Sequence, residues 1–288
     1  MKMEKPIYYH YHIAYKTPKM ESFSLVKSPP YGWLADPFLV EYDGEIYLFA
    51  EIFLWKTERN GVIGYCKYDG TSFGAWTVTM DRHWHLSYPN VYTCNGKLYM
   101  CPESYQSLEV SVYELVQFPD TWKKVHTYIN DVEYCDSTFL QDGDDTYMFT
   151  FERQESGVYG NGYICKILDG RIVDKRLITS NPEGSRPGGN ILQEGGKYFR
   201  VAQNGKPTYG SGLIFYEIDS LWPNYSEHEI KRVTVEDINP NWKDKYCGIH
   251  TYNQLNGIEV IDLKEKTFSM EEYDAQQRVR SIFLNKYR

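Results

Sequence analysis

The sequence has no long apolar run and no cluster of basic residues. No stretch approaches the roughly 20 consecutive apolar residues that a membrane-spanning helix needs, so no transmembrane segment is predicted. Its 31 Lys and Arg residues are scattered among 39 Asp and Glu residues, for a formal net charge of −8. This balance argues against nucleic acid as a partner. The opening segment, MKMEKPIYYHYHIAYK, lacks the apolar core of a secretory signal, and a cytoplasmic location is expected.

Paired cysteines at metal-binding spacing and a glycine-rich phosphate loop are also missing. The six cysteines contain no CxxC pair, and no metal site is predicted from them. We expect free, buried thiols in a reducing compartment; the even number leaves a disulfide-linked secreted protein as the alternative. Without a phosphate loop or a dinucleotide-binding pattern, any nucleotide would have to be held by other parts of the fold.

The chain does contain one hairpin pattern that repeats five times. Each copy is an apolar strand, a tight polar turn and a second apolar strand. The copies span residues 33–51, 86–103, 135–152, 185–203 and 248–263. The turn dipeptides suit two-residue hairpins, in which both central residues take positive φ. They are Asp43-Gly44, Asn95-Gly96, Asp142-Gly143, Gly195-Gly196 and Asn256-Gly257.

A hairpin that recurs about every 50 residues predicts a five-bladed β-propeller. We expect one all-β domain over residues 1–288, with blades starting near residues 33, 86, 134, 185 and 247. The N-terminal strand around residues 7–14 should pair with the last blade and close the ring, which removes open strand edges. A β-sandwich is the alternative, but sandwiches do not repeat one hairpin at near-constant spacing.

The repeat also predicts where a site would lie. In a propeller, the residues that open the first strand and close the second strand of each blade converge on one funnel. The predicted catalytic carboxylates there are Asp36, Glu103 and Asp136. The predicted substrate-binding residues are Trp33, Glu51, His85, Tyr88, Glu152, Arg153, Arg186, Gln203, Tyr209 and His250.

Several of these residues also have a purely structural explanation. Asp36 precedes a proline, and Asp-Pro is a common way to open a turn. Glu152 could form an internal ion pair with Arg153, and His250 could be a core histidine. Arg186 could simply pair with Asp36 or with Asp136. The matching positions of Asp36 and Asp136 in blades one and three nevertheless favour a functional pair.

Paired carboxylates are the groups that glycosidic chemistry needs. One carboxyl group protonates the leaving oxygen, and the other attacks the anomeric carbon or activates an acceptor hydroxyl. Aromatic residues make up 16% of the chain, with 27 tyrosines, and aromatic faces stack on sugar rings. The funnel composition therefore indicates a carbohydrate substrate.

At these residues the chain resembles the five-bladed enzymes of glycoside hydrolase families 43, 32 and 68. The resemblance implies an Asp at the opening of blade one, matched by Asp36 in ADPFLV, and an Asp on blade three, matched by Asp136. It also implies an acid, usually a Glu, on blade four. This chain instead has Ser185-Arg186-Pro187 there, so Glu103 or Glu152 would have to supply the acid.

The chain more closely resembles bacterial and plant sequences similar to the N-terminal domain of plant glucosamine inositolphosphorylceramide transferase. The matching segments include HLSYPNVYTCNGKLYMCPES and SRPGGNILQEGGKYFRVAQNGKPTYGSGLIFYEI. The resemblance implies a glycosyltransferase that uses an activated nucleotide-sugar donor and a polysaccharide or glycolipid acceptor, including fructosyl transfer to a capsule. Asn90 and Asn204 depart from the pattern and bear on donor specificity. A furanosidase-type glycoside hydrolase and a non-catalytic glycan-binding propeller are the alternatives.

Overall fold

The computed structural model describes residues 5–154 and 156–286, which form a five-bladed β-propeller. All of the paired strands are antiparallel, and each blade is one sheet of four strands or of five where an inner strand is split. The fold predicted from the repeated hairpins is confirmed. In the part of the chain that the structure describes, no helix is long and apolar enough to cross a membrane.

The chain begins in the last blade and then builds blades one and two. Its first two strands are β1 (Ile7–Lys16) and β2 (Ser24–Leu25). The strands of blade one are β3 (Trp33–Tyr42), β4 (Glu45–Phe53), β5 (Gly61–Lys67) and β6 (Thr77–Met80). The strands of blade two are β7 (Ser87–Cys94), β8 (Lys97–Glu103), β9 (Glu109–Gln117) and β10 (Thr121–Asn130), with a 3₁₀ turn at Tyr105–Ser107.

Blade three is regular, whereas the inner strand of blade four is split. The strands of blade three are β11 (Tyr134–Asp142), β12 (Asp145–Gln154), β13 (Ser156–Leu168) and β14 (Arg171–Thr179). Those of blade four are β15 (Glu183–Pro187), β16 (Leu192–Glu194), β17 (Lys197–Asn204), β18 (Gly212–Ser220) and β19 (Ser226–Val233). A short helix α1 (Val235–Ile238) and a 3₁₀ turn (Pro240–Trp242) follow.

Blade five joins the two ends of the ring. It contains β20 (Tyr246–Gly248), β21 (Tyr252–Leu255) and β22 (Ile258–Phe268). Strand β1 pairs with β22 from Ile7 opposite Phe268 to Lys16 opposite Glu259, and β2 adds to the outside of β1. The N-terminal strand therefore closes the propeller, as the sequence predicts. The last element is helix α2 (Met270–Lys286).

Neighbouring blades pack through apolar side chains from their strands. Between blades one and two, Phe38, Phe49 and Leu86 have no exposed surface and lie in one cluster with Val91 and Met100. Burying an apolar side chain of this size contributes about 1.5–3 kcal/mol to stability. Such clusters hold the inner strands at fixed positions, and these strands carry the polar residues of the funnel.

The inner strands of the first three blades bulge at equivalent positions. Pairing skips from Ala35 to Phe38 in blade one, with equivalent skips in blades two and three. The bulged residues Asp36, Tyr88 and Asp136 have φ of 52°, 42° and 51°, in the left-handed region. Each such residue costs on the order of 1–3 kcal/mol, and strain of this kind clusters at functional sites.

The turn of blade three differs from the sequence prediction by one residue. Asp142 pairs with Asp145, so Gly143 and Asp144 are the central residues, rather than Asp142 and Gly143. In a strand, a shift of one residue exchanges the two faces. Phe151, opposite Cys135, consequently takes the place that Glu51 has opposite Ala35 in blade one. Glu152 therefore points to the other face of its strand.

The cysteines are free, as predicted, but they are not all buried. Cys66, Cys101, Cys135 and Cys165 lie in the packed strands, whereas Cys94 and Cys247 are exposed. Cys94 ends β7 at the hairpin turn, and Cys247 lies in β20. The prediction of buried thiols, which was based on strand-like sequence patterns, was therefore wrong for Cys94 and Cys247.

Candidate active site

Asp36 lies in the funnel at the bulge of blade one and accepts hydrogen bonds from two other blades. The amide of Tyr88 donates to its Oδ2 at 3.2 Å, and the hydroxyl of Thr251 donates to its Oδ1 at 2.8 Å. The Nε2 atom of His250 lies 3.7 Å from Oδ1. The carboxyl group of Asp36 is thus held in place by donors from blades two and five.

A buried acid of blade five, Asp262, organises this side of the funnel. Its carboxylate accepts the amides of His250 at 2.9 Å, Thr251 at 3.1 Å and Asp36 at 3.2 Å. It also lies 2.5 Å from Nδ1 of His250, which leaves Nε2 of that ring facing Asp36. Sequence reasoning missed Asp262; the signal was an acid placed directly between the apolar residues Ile261 and Leu263.

Arg186 links the second pair of acids in the funnel, Asp136 and Glu103. This side chain from blade four donates through Nε to Oδ2 of Asp136 and through Nη2 to Oε2 of Glu103 at 3.0 Å. Gln203 donates its Nε2 to the same Asp136 oxygen at 2.8 Å. One guanidinium therefore connects acids of blades two and three, and charge-assisted bonds of this kind fix geometry strongly.

Burial controls the protonation of the two aspartates. Burial raises the pKa of Asp36 to about 6, although the charge of His250 acts against the shift. It raises the pKa of Asp136 to about 7, where Arg186 opposes the shift and Glu103 adds to it. For His250, burial acts to lower the pKa, but Asp262 and Asp36 outweigh it and raise the pKa. Neighbouring groups that titrate at different pH are what acid–base catalysis uses.

Glu51 lies beside these acids, on the second strand of blade one. It is 5% exposed, and its Oε1 accepts no hydrogen bond from the residues that the structure describes. Nε2 of His85 lies 3.5 Å from that oxygen. Burial, followed by the charges of Asp36 and Glu103, raises the pKa of Glu51 well above its usual value.

Aromatic rings surround the acidic centre on two sides. Trp33 stacks on Phe53 with ring centroids 4.6 Å apart, and Tyr105 lies 6.0 Å from the His85 ring. The Arg153 guanidinium lies over Tyr105 at 5.1 Å. On the opposite side, Tyr209 contacts His250 edge-on at 5.3 Å and lies under Arg186 at 5.1 Å. Partly exposed rings around carboxylates suit a sugar, which has both apolar faces and hydroxyl groups.

The structure brings most of the predicted residues together and places two of them elsewhere. Asp36, Glu103, Asp136, Arg186, Gln203, Tyr209 and His250 contact one another in a connected set, the pair Glu51 and His85 lies beside it, and Trp33 and Arg153 are among the aromatic surroundings. Tyr88 is fully buried, and its hydroxyl bonds with Thr138 and Gly189, so its side chain belongs to the packing between blades. Glu152 bonds instead with Tyr134 at 2.9 Å and Lys175 at 3.3 Å.

Of the two acids predicted as partners of Arg186, the structure shows Asp136 and not Asp36. Arg186 binds Asp136 and Glu103, and the neighbouring cationic group of Asp36 is His250. The ligand atoms of Asp36, His250 and Asp262 lie within 4.8 Å of one another, so this trio could accept a cation. Its atoms are hydrogen bonded to each other or to neighbouring amides, which explains their arrangement without one.

Comparison with known proteins identifies relatives along most of the chain. The profile of a family described as "Glucosamine inositolphosphorylceramide transferase 1, N-terminal" matches residues 20–256. The protein of that name from Arabidopsis thaliana is 28% identical over 251 residues, 81% of this chain and 32% of the relative. The one from Oryza sativa subsp. indica is 27% identical over 216 residues, 72% of this chain and 28% of the relative. The chain thus spans about a third of the length of these relatives.

Solved structures share the fold at much lower identity. A thermostable family-43 glycoside hydrolase superposes with a TM-score of 0.60 at 12% identity, covering 85% of this chain and 94% of the other. The catalytic domain of a family-62 α-L-arabinofuranosidase from Coprinopsis cinerea gives 0.58 at 11% identity, covering 91% and 98%. Identities this low support the shared propeller fold.

Proposed function

We propose a sugar-transfer reaction for this chain, which belongs to the family described as glucosamine inositolphosphorylceramide transferase 1, N-terminal. The reaction moves a glycosyl group from a donor to a hydroxyl of a glycan or glycolipid, including a furanose such as fructose added to a capsular polysaccharide. The observation that carries the proposal is the pair of bulged, buried aspartates, Asp36 and Asp136, at equivalent positions of one funnel.

Asp36 acts in this proposal as the base or nucleophile. Its pKa of about 6 leaves most of the carboxyl ionised at neutral pH, and its two hydrogen-bond donors fix its orientation. An ionised, positioned carboxylate can take the proton of an acceptor hydroxyl, or attack the anomeric carbon. The nearby His250 stabilises the ionised form.

The carboxyl groups of Asp136 and Glu103 lie next to the reacting carbon in this proposal. Glycosyl transfer passes through a transition state with positive charge on the sugar ring, and fixed carboxylates stabilise that charge. Arg186 holds both acids in one geometry, with Gln203 as a further donor to Asp136. The aromatic rings of Trp33, Tyr105 and Tyr209 would stack on the sugar or its acceptor.

The relatives and the fold support different parts of this proposal. The printed name of the plant relatives describes transfer to an inositolphosphorylceramide, which supports a glycolipid acceptor. The solved structures are glycoside hydrolases, and this shared propeller fold favours hydrolysis of a glycoside as the second candidate function. In hydrolysis, water takes the place of the acceptor hydroxyl in the same funnel.

One assay separates transfer, hydrolysis and simple binding. The protein is incubated with aryl glycosides and, separately, with nucleotide sugars, each with and without a capsular or glycolipid acceptor. Mass gain on the acceptor supports transfer, and sugar release without an acceptor supports hydrolysis. Glycan binding without either reaction contradicts an enzymatic function. A double Asp36→Asn, Asp136→Asn variant is the control for contaminating activity.

A further inference from the structure

We propose, resting on the sugar-transfer function, that Glu51 donates the proton to the leaving oxygen and that the donor is therefore an uncharged glycoside. Glu51 closes the second strand of blade one, directly opposite Ala35, the residue before Asp36. Blade four opens with Arg186 and carries no acid at that position, so we look to the other blades for the proton.

The hydrogen bonds of the other acids leave Glu51 as the available donor. Asp136 accepts from Arg186 and Gln203, and Glu103 accepts from Arg186, so an oxygen of each carboxyl group is already engaged in a hydrogen bond. Asp36 accepts from Thr251 and the Tyr88 amide. Among these funnel carboxyl groups, Glu51 alone has a buried oxygen, Oε1, without a hydrogen bond from the described residues.

The surroundings of Glu51 favour its protonated form. Burial raises its pKa, and the charges of Asp36, Glu103, Asp262 and Asp136 raise it further. The two cationic groups of the funnel do not offset this, because Arg186 is bonded to Asp136 and Glu103, and His250 to Asp262. A carboxylic acid that stays neutral at pH 7 can donate a proton.

His85 is positioned to hold the Glu51 carboxyl without ionising it. Its Nδ1 accepts the Gly61 amide at 3.1 Å, so the proton of the neutral ring is on Nε2, which faces Glu51 Oε1 at 3.5 Å. Burial lowers the pKa of His85 to about 4, and the ring is therefore neutral at pH 7.

Gly61 makes room for this pair. A Cβ at Gly61 would lie 2.7 Å from Oε1 of Glu51 and 2.6 Å from Cε1 of His85, closer than real contacts allow. The backbone of β5 thus approaches the carboxyl group as closely as the absence of a side chain permits. Glycine at this position is what lets the two side chains meet.

The charge of the funnel indicates the donor class. Five carboxyl groups, Asp36, Glu51, Glu103, Asp136 and Asp262, lie in the funnel, and the Arg186 guanidinium and the His250 imidazole are already bonded to members of this group. A nucleoside diphosphate would bring its own negative charges against these acids, whereas a glycoside brings none. A phosphate group also leaves without being protonated. A buried protonated acid therefore assists the reaction only when the leaving group is an alkoxide.

The reaction step balances with these groups. The bond from the anomeric carbon to the leaving oxygen breaks, and that oxygen takes the proton of Glu51. The acceptor oxygen forms the new bond to the anomeric carbon, and its proton passes to Asp36. Proton exchange with solvent then restores both carboxyl groups, and no oxidant, reductant or further reactant is needed.

The test compares leaving groups in a Glu51→Gln variant. The probes are 4-nitrophenyl and methyl glycosides of arabinofuranose, fructofuranose and xylose, assayed with the full chain and an acceptor alcohol. Nitrophenolate leaves without a proton, whereas methoxide needs one. We expect kcat/KM to fall by about 10²-fold or more on the methyl glycoside and by less than about 10-fold on the nitrophenyl glycoside. Glu45→Gln, on the exposed end of the same strand, should leave both rates unchanged.

The pH dependence gives a second measurement that needs no variant. With the wild type, the rate on the methyl glycoside should fall at alkaline pH as Glu51 loses its proton, while the nitrophenyl rate should not share that fall. Equal losses on both donors in Glu51→Gln, or equal alkaline falls in the wild type, would overturn the role of Glu51. Turnover of nucleotide sugars alone would overturn the donor class and leave sugar transfer intact, whereas no turnover of either donor would refute the proposed function itself.

Discussion

Asp36 accepts hydrogen bonds from a backbone amide and from a hydroxyl, and these donors determine what its replacement does. In Asp36→Asn the side chain keeps its shape but loses its charge and one acceptor oxygen. We expect turnover in the glycoside-transfer assay to fall by about 10²-fold or more. The unfolding free energy should fall by only about 1 kcal/mol, as measured by urea denaturation.

The matched control for this variant is Glu152→Gln. Glu152 lies on the other face of its strand and contacts Tyr134 and Lys175 rather than the funnel. Its activity should stay within about twofold of the wild type, because an exposed ion pair contributes little. Full activity in Asp36→Asn would assign the chemistry to other acids, with Glu103 and Asp136 as the next pair to replace.

The protonation of Asp136 makes the stability of the folded protein depend on pH. Burial raises its pKa in the folded protein to about 7, above its ordinary value of 3.8, although Arg186 opposes the shift. The folded state therefore binds this proton more tightly than the unfolded state, and the contribution to stability is lost as pH rises from about 4 to 7. We expect the Tm of Asp136→Asn to fall less steeply than that of the wild type between about pH 5 and 7.

This prediction is tested by the slope of Tm against pH rather than by the absolute Tm values. Removing the carboxylate leaves Arg186 with one fewer acidic partner, which lowers stability at every pH. A wild-type Tm that rises through this range, with the same slope in the variant, would show that Asp136 is ionised in the folded protein throughout.

Site residues can be predicted from the sequence when they occupy equivalent positions in several repeats. Contacts between residues of different blades cannot be predicted in this way. Asp36 and Asp136 were predictable because equivalent bulges place them in the same funnel. Asp262 has no counterpart in the other copies, and the partner of Arg186 depends on the rotation between blades, which no local pattern encodes. Which side chains pair in the funnel is therefore determined by how the blades are arranged around the ring.

At the level of single strands, one-residue shifts decide which side chains face the funnel. The blade-three turn contains both Asp142-Gly143 and Gly143-Asp144 as candidate central pairs, and both dipeptides suit a tight turn. The choice of the second pair turns Glu152 away and Phe151 inward. The existence of the hairpin was predictable from its dipeptide, whereas its register depended on packing against blade four.

Helix α2 is fixed to the propeller by a buried glutamate. Glu272 is 2% exposed and lies 2.6 Å from His10 Nε2 on β1 and 3.0 Å from Arg59 Nη1 in blade one. Replacing it with glutamine should lower the unfolding free energy by about 1–3 kcal/mol, because Arg59 loses its negatively charged partner and one of the two acceptor oxygens becomes an NH2 group. Thermal or urea denaturation of Glu272→Gln measures this.

Glu271 provides the comparison on the same helix. It is 67% exposed and lies 3.6 Å from Lys56, so Glu271→Gln should change the unfolding free energy by less than about 0.5 kcal/mol. Similar values for the two variants would mean that the helix contributes little to the stability of the propeller.

For the whole molecule, closure of the ring depends on β1. Ile13 of this strand has no exposed surface and packs with Leu34 of blade one and Val260 of blade five. Ile13→Ala should lower the unfolding free energy by about 2–4 kcal/mol and leave a single unfolding transition, because every blade depends on the closed ring. Denaturation followed by both fluorescence and circular dichroism tests this.

Ile7 at the other end of β1 serves as the control. It is 49% exposed, and Ile7→Ala should change stability by less than about 0.5 kcal/mol. Two separate transitions in Ile13→Ala would show instead that blades one and five unfold independently of the rest.

The architecture was predictable from the sequence because each blade repeats the same hairpin. Alternating apolar residues and five turn dipeptides determine the number of blades, and the N-terminal strand had no partner within its own repeat. Helix α2 was not predicted, since it follows the last repeat and its segment has no strong apolar periodicity. Its position depends on buried charged contacts with β1 and blade one.

The pairing of β1 with β22 also determines when the propeller can close during translation. Strand β1 is synthesised first, yet its partner β22 is made about 250 residues later. At about 5–20 residues per second, the first strand waits roughly 10–50 s before it can pair. During that interval the edge of β1 that later pairs with β22 can bind other chains, so the yield of folded protein depends on how well this segment is shielded while translation continues.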